Sequence, residues 1–190
     1  MTSPTTSPGT SIATAYAAAD RPLTAVLDAV APDAWDRPST CEGCWTVRDV
    51  VRHLVQTQRE FLTEHGVDLG EEPDVDADPA AAWRSHAARV AVAVADPAVA
   101  EQVYDGFFGP TTVGATLEQV YVWDMVVHRW DVARSAGIDP ALTEAELDRV
   151  EAGADSFGDA LYMEGICRPG TEPSADADRT TRVLARLGRG

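Results

Sequence analysis

Residues 117–137 read LEQVYVWDMVVHRWDVARSAG, and this stretch decides the fold. Leu117, Val120, Tyr121, Val122, Trp123, Met125, Val126, Val127, Trp130 and Val132 leave a helix almost no polar side, so the segment is expected to lie buried inside an all-α domain. Thr116 with Gln119 predicts a cap at its start, and Gly137 predicts its end. Two acids and an imidazole interrupt the apolar surface. At about 100° per residue, Asp124 and His128 fall about 20° either side of Leu117, and Asp131 sits beside them.

A carboxylate taken into a core is costly unless it is paired or coordinated. An acid and a His at i, i+4 lie about 6 Å apart at Cβ, close enough to share one metal ion. An Asp124–His128 ion pair, or an Arg reaching Asp124 from a neighbouring helix, would satisfy the same face. Spacing leaves both open.

Working outward, Ser11 to Val30 carries Ile12, Tyr16, Leu23, Val26 and Leu27 at helical spacing, with Pro22 expected to kink or restart the helix. A loop over 32–45 leads to Thr46 and Asp49, which predict a capped second helix running to about Gly66. His53 lies at the flank of its apolar stripe, where a His suits either packing or ligation. The acid-rich segment after the helix, to residue 78, reads as a solvated linker. Asp78 and Pro79 open an Ala-rich third helix that Asp96-Pro97 ends. Residues 98–114 fit an irregular crossing or a short hairpin. Thr143 with Glu146 caps a fifth helix to about Met163, and a short last helix spans about 176–187. The architecture is thus a four-helix bundle with additional C-terminal helix, residues 11–190 forming one domain behind a disordered leader at 1–10.

Composition removes whole mechanisms. The 190 residues hold no Lys and no Asn, so all 15 bases are Arg. That excludes a P-loop lysine, a lysine Schiff base, a Ser-Lys dyad, a Cys-His-Asn triad and an N-glycosylation site. A net charge of -16 repels phosphate backbones, so no nucleic-acid partner is expected. Without a long apolar run or an apolar signal segment the protein is expected to be cytoplasmic, with no membrane partner. Cys41, Cys44 and Cys167 are too few for a disulfide scaffold or a structural zinc built from paired thiolates. His65, at a fraying helix end, and His86, without an acid or His neighbour on its helix, are weaker ligand candidates.

Three segments carry a family resemblance. Pro38, Cys41, Gly43, Trp45-Thr46-Val47-Arg48-Asp49 and His53-Leu54 resemble the "PTPC-x-GW-T-V-R-D-L…HL" segment of actinobacterial DinB-like proteins. Asp124 to Gly137 is similar to their "D-x-x-x-H-x-W-D-L-A-R-A-x-G", and Arg182 to Arg189 to their closing "R-L-L-A-L-L-G-R". Cys44 departs from the pattern as an additional residue between the expected Gly and Trp. The branch resembled is the metal-binding domain of mycothiol-dependent maleylpyruvate isomerase.

The resemblance implies an up-down-down-up bundle with a divalent metal, zinc or nickel, held by His53, Asp124 and His128. Asp131 is then expected to serve catalysis by orienting a ligand or accepting its N–H. Relatives include the isomerase and mycothiol or bacillithiol S-transferases, so a metal-dependent thiol S-transferase, or a related transferase or isomerase, is the first expectation. A counterpart of the isomerase's C-terminal domain is not expected in a chain of this length, which points away from that particular reaction. A non-catalytic binding or stress-response bundle, or a biosynthetic cyclase or hydrolase using the same pocket, is the alternative. The partners implied are a small-molecule substrate and a thiol such as mycothiol, with a homodimer left open. Arg84 and Arg89, on the third helix, are candidates for general acid or base by location alone.

Overall fold

Helix α1 (Ile12–Ala29) begins where the Ser11 side chain accepts the amide of Thr14. In the computed structural model, which describes residues 11–41, 45–163 and 166–189, α1 runs through Pro22 without a restart. Ala19, Leu23 and Val26 hold that turn on the core, and this outweighs the one ladder bond that proline removes. The expected leader at 1–10 lies outside the described residues.

Helix α2 (Val47–Glu64) starts at a reciprocal cap: Thr46 Oγ1 accepts the Asp49 amide, and Asp49 accepts the Thr46 amide. Helix α3 (Pro79–Val94) follows the Asp78 cap with Pro79 in its first turn. A short α4 (Pro97–Ala100) leads into an antiparallel hairpin, β1 (Val103–Gly106) and β2 (Gly109–Thr112), in register Val103 to Thr112. Then α5 (Val113–Thr116), a π-helical segment over Leu117–Tyr121 and α6 (Val122–Ala136) run on as one path. The cap for this path is Thr112, which accepts the Ala115 amide, and not Thr116 as expected. Thr116 has helical backbone angles and makes no cap bond.

Contacts fix the helix directions. Tyr16 donates to Gln58 and His86 meets the same amide oxygen, while Trp83 donates to Asp20, so α3 runs against α1. Arg48, near the start of α2, donates to the carbonyls of Val75 and Asp76 just before α3, so α2 and α3 are parallel. Phe61 lies against Tyr121 and His53 against Asp124, so α6 runs against α2. This is the up-down-down-up bundle, with Trp83, Leu23, Leu27, Leu54, Leu62 and Met125 sealed in its core.

The connection over residues 65–78 is not the solvated linker that its acids predict. Leu69 and Val75 are buried, and Arg89 donates to the Leu69 carbonyl at 2.7 Å while Arg59 donates to that of Gly70. The acids face solvent and the apolar residues between them dock.

Beyond the bundle, α7 (Glu144–Phe157) starts at the Thr143–Glu146 capping box and ends at Phe157, before a 3₁₀ turn over Gly158–Tyr162. Helix α8 (Arg179–Arg186) ends in a Schellman turn: Gly188, at φ +72°, donates to Ala185 O, and the Arg189 amide donates to Leu184 O. A side chain at Gly188 would strike Arg168, so this turn requires glycine twice over, for φ and for space. Among the described residues no helix is long and apolar enough to cross a membrane.

Candidate metal centre

Val120 and Tyr121, from the π-helical segment, and Asp124 and His128, from α6, line one cavity of about 530 Å3. His53 reaches the same cavity from the facing surface of α2.

Nε2 of His53 and Nε2 of His128 each lie 3.2 Å from a different oxygen of Asp124. One ligand atom from each of the three residues lies within 4.8 Å of the others. The imidazoles meet edge to face at 5.1 Å, and Trp45 lies across His53 with ring centroids 5.0 Å apart. Two imidazole nitrogens and one carboxylate, converging on a common point, make a donor set suited to a divalent transition metal.

The far side of His128 is also specified. Its Nδ1 donates to Asp131 at 2.9 Å, which reserves Nε2 for the cavity. Asp131 has no exposure, and three donors compensate its charge: His128, Thr40 Oγ1 at 2.7 Å, and Arg189 Nε at 2.9 and 3.0 Å. Burial would raise the Asp131 pKa, but the hydrogen bond from His128 and the charge of Arg189 hold it below the ordinary carboxylate range. For Asp124 burial likewise pushes upward, and His128 with His53 pull the carboxyl well below its usual value. Burial works against the charge on His128, yet Asp124 and Asp131 together raise its pKa to about 9.

The sequence-derived residues His53, Asp124, His128 and Asp131 therefore stand together. Arg84 and Arg89 do not join them: Arg84 pairs with Asp28, and Arg89 is committed to the 65–78 connection. His65 bonds the Phe61 carbonyl, and His86 is buried between α1 and α2. Thr40 had no signal in the sequence, and Trp45 and Arg189 stand in segments that carry the resemblance without being singled out as site residues.

Cys41 is buried in the cavity wall, and with His128 and Asp131 it forms a second group of converging donors. Burial pushes its pKa up to about 11. Cys167 lines the same cavity, 3.8 Å from an Arg189 nitrogen, with its pKa also raised by burial. Cys44 lies outside the described residues.

Residues 16–133 match the family described as mycothiol maleylpyruvate isomerase N-terminal domain, and the chain belongs to that family. The family is a DinB-like, metal-binding, mycothiol-related domain, in keeping with the bundle and its converging donors. No curated protein and no solved structure matches the chain.

Proposed function

We propose that this protein is a metal-dependent small-molecule enzyme of the thiol-transferase type, with His53, Asp124 and His128 as the ligands of a zinc or nickel ion. The observation that supports this most directly is the convergence of those three side chains together with the commitment of His128 Nδ1 to a buried, ionised Asp131. A divalent ion held by three protein ligands with an open position lowers the pKa of a coordinated thiol or water, supplying a nucleophile near neutral pH.

The residues of the chain do the rest. Asp131 accepts the Nδ1 proton of His128 and fixes its ring orientation; Thr40 and Arg189 keep Asp131 charged and stationary. Trp45 covers His53 and limits water on that side. Burial pushes the Cys41 pKa up to about 11 and raises that of Cys167, which supports an exogenous thiol as the nucleophile. Mycothiol, which the family name carries, is the thiol proposed. The protein works on small molecules, and its net charge of -16 supports a function without nucleic acid.

Calorimetry with mycothiol on metal-loaded and metal-stripped protein tests the reading. Thiol binding is expected only with metal, and it should strengthen as pH rises toward the thiol pKa, because coordination releases the thiol proton. Equal, pH-independent heats with and without metal would shift the assignment to a binding bundle without turnover.

A further inference from the structure

Exposed large apolar side chains gather at one end of the cavity. Phe107 and Phe108, at the tip of the β1–β2 hairpin, are 78% and 62% exposed, and Met163 and Ile166, beyond α7, are 51% and 40% exposed. They rim a second chamber of about 420 Å3, enclosed by the hairpin, the π-helical segment and the end of α7. Val120, Phe157 and Ile166 line both this chamber and the one that holds His53, Asp124 and His128. The two spaces are neighbours across one apolar wall.

Their chemistry is opposite. Among the described residues, no Asp, Glu, Arg or His lines the second chamber, in a chain of which 24% is charged. Three of its polar side chains are engaged: Tyr104 and Thr116 share a hydrogen bond of 2.7 Å, and Gln119 donates to Ser156. Aromatic rings run from the hairpin tip toward the metal pocket, Phe107 on Phe108 at 4.9 Å, Phe108 to Phe157 at 6.4 Å, and Phe157 to Trp123 at 5.5 Å. Trp123 belongs to the wall of the first cavity.

We infer that the second chamber is the subsite for an uncharged aromatic or polycyclic portion of the substrate, whose reactive end lies beside His53, Asp124 and His128. A concave, apolar space of this volume is of the kind that takes a small molecule, and filling it covers side chains that water now touches. The two spaces share the side chains of Val120, Phe157 and Ile166, and this adjacency argues that the occupant belongs to the molecule that reacts in the metal pocket. Its role as a substrate subsite rests on the metal-dependent reading above; its affinity for an uncharged ring system does not.

The test uses N-phenylnaphthylamine, a neutral fluorescent probe, with metal-loaded and metal-stripped protein, and naphthylmethanethiol, which joins the ring system to a thiol. The amine is expected to saturate at one per chain in both forms, and Phe108→Ser to weaken it by about tenfold through loss of one ring contact. Phe108 is exposed, so this variant should keep the fold; Val120→Trp, which fills the shared wall, should weaken the probe as well. The thiol should bind the metal-loaded form at least about tenfold more tightly than the stripped one, because both ends are then engaged. Measured metal content separates the two claims. Stoichiometric metal without saturable amine binding overturns the subsite and spares the metal centre, whereas Phe108-dependent amine binding in a protein that takes no metal supports the subsite and sinks the centre. Amine binding indifferent to both variants overturns the inference, as does a dimer in sedimentation that buries Phe107 and Phe108 and excludes the probe. No metal-dependent gain for the thiol would break the link between the chambers.

Discussion

Arg189 donates its Nε to both carboxylate oxygens of Asp131, at 2.9 and 3.0 Å, across a sequence separation that joins the turn after α8 to the middle of α6. Asp131 has no exposure and Arg189 is 7% exposed; Asp131 is the main compensation for the buried charge of Arg189, and Arg189 joins His128 and Thr40 in compensating Asp131. The pair in turn holds the proton on Nδ1 of His128. A C-terminal residue thus sets the orientation of a candidate ligand.

Breaking this pair from one side should be costly. Arg189→Met leaves the Asp131 charge short of a partner and is expected to destabilise the protein by about 3–5 kcal/mol. Combining it with Asp131→Asn should return a substantial part of that loss, since the orphaned charge is then gone, and urea denaturation of the four proteins reads the coupling. Simple additivity of the two single effects would mean that the ion pair is incidental.

Metal content has its own discriminating set. The proteins as purified should carry about one divalent ion per chain, with His128→Ala removing it and His53→Ala reducing it strongly. Because Cys41, His128 and Asp131 form a rival group, Cys41→Ser, alone or with Cys44→Ser, is the control, and it should leave the ion in place. Asp131→Asn should weaken affinity by about 10–100-fold without emptying the site at saturating metal. Loss of the ion in the Cys variants would transfer the site to the group of Cys41, His128 and Asp131, whereas retention in a His53→Ala, His128→Ala double variant would overturn both groups.

Legibility of these features in the sequence followed their range. The capping boxes at Thr46–Asp49 and Thr143–Glu146 close over three residues, and the helices start where those pairs predict. Thr116 with Gln119 spells a similar signal but lies inside the helical path, because Thr112 caps one turn earlier and the chain enters α6 through a π-helical segment. No short motif marks such a segment, since it is fixed by what packs around it. Asp124 and His128 could be put on one face from helical spacing, while His53 came into the set through family resemblance and meets them across the bundle. Trp45 and Arg189 lie in segments of family resemblance, but neither they nor Thr40 could be assigned to the site, because pairing between distant segments has no period to read. The acids of the 65–78 connection concealed Leu69 and Val75, which anchor it.

Gly153 on α7 is a second position where glycine is required by closeness. A Cβ there would lie 2.3 Å from the Trp123 ring, and Trp123 is tied to the Val150 carbonyl at 3.1 Å. Gly153→Ala should displace the indole, and although alanine favours a helix interior, the net change is expected to be a loss of about 1–3 kcal/mol. Because Trp123 forms cavity wall, thermal melts should be paired with tryptophan fluorescence, which is expected to shift. An unchanged or raised melting temperature with unchanged fluorescence would show that the ring is free to give way.

Stability against pH should carry two opposite signatures. His86 has no exposure, and burial followed by the charges of Arg59 and Arg89 lowers its pKa to about 3. The unfolded chain takes up a proton as pH falls below about 6.5 while folded His86 does not, so stability falls on acidification through this window, by up to about 1.4 kcal/mol per pH unit. His86→Gln, which cannot ionise, should flatten that limb. His128 works the other way in metal-stripped protein: its folded pKa of about 9 exceeds the unfolded value, so the stability it contributes is complete below about pH 6.5 and is lost as pH rises through 9. Metal takes the place of that proton, and affinity grows as the proton leaves, so metal-loaded protein should gain stability over the same rise in pH. Urea midpoints at pH 5, 6.5 and 9, with and without metal, provide the comparison. Parallel alkaline limbs for the two forms would mean that the ion does not compete for the His128 proton, and His128 would then be no ligand.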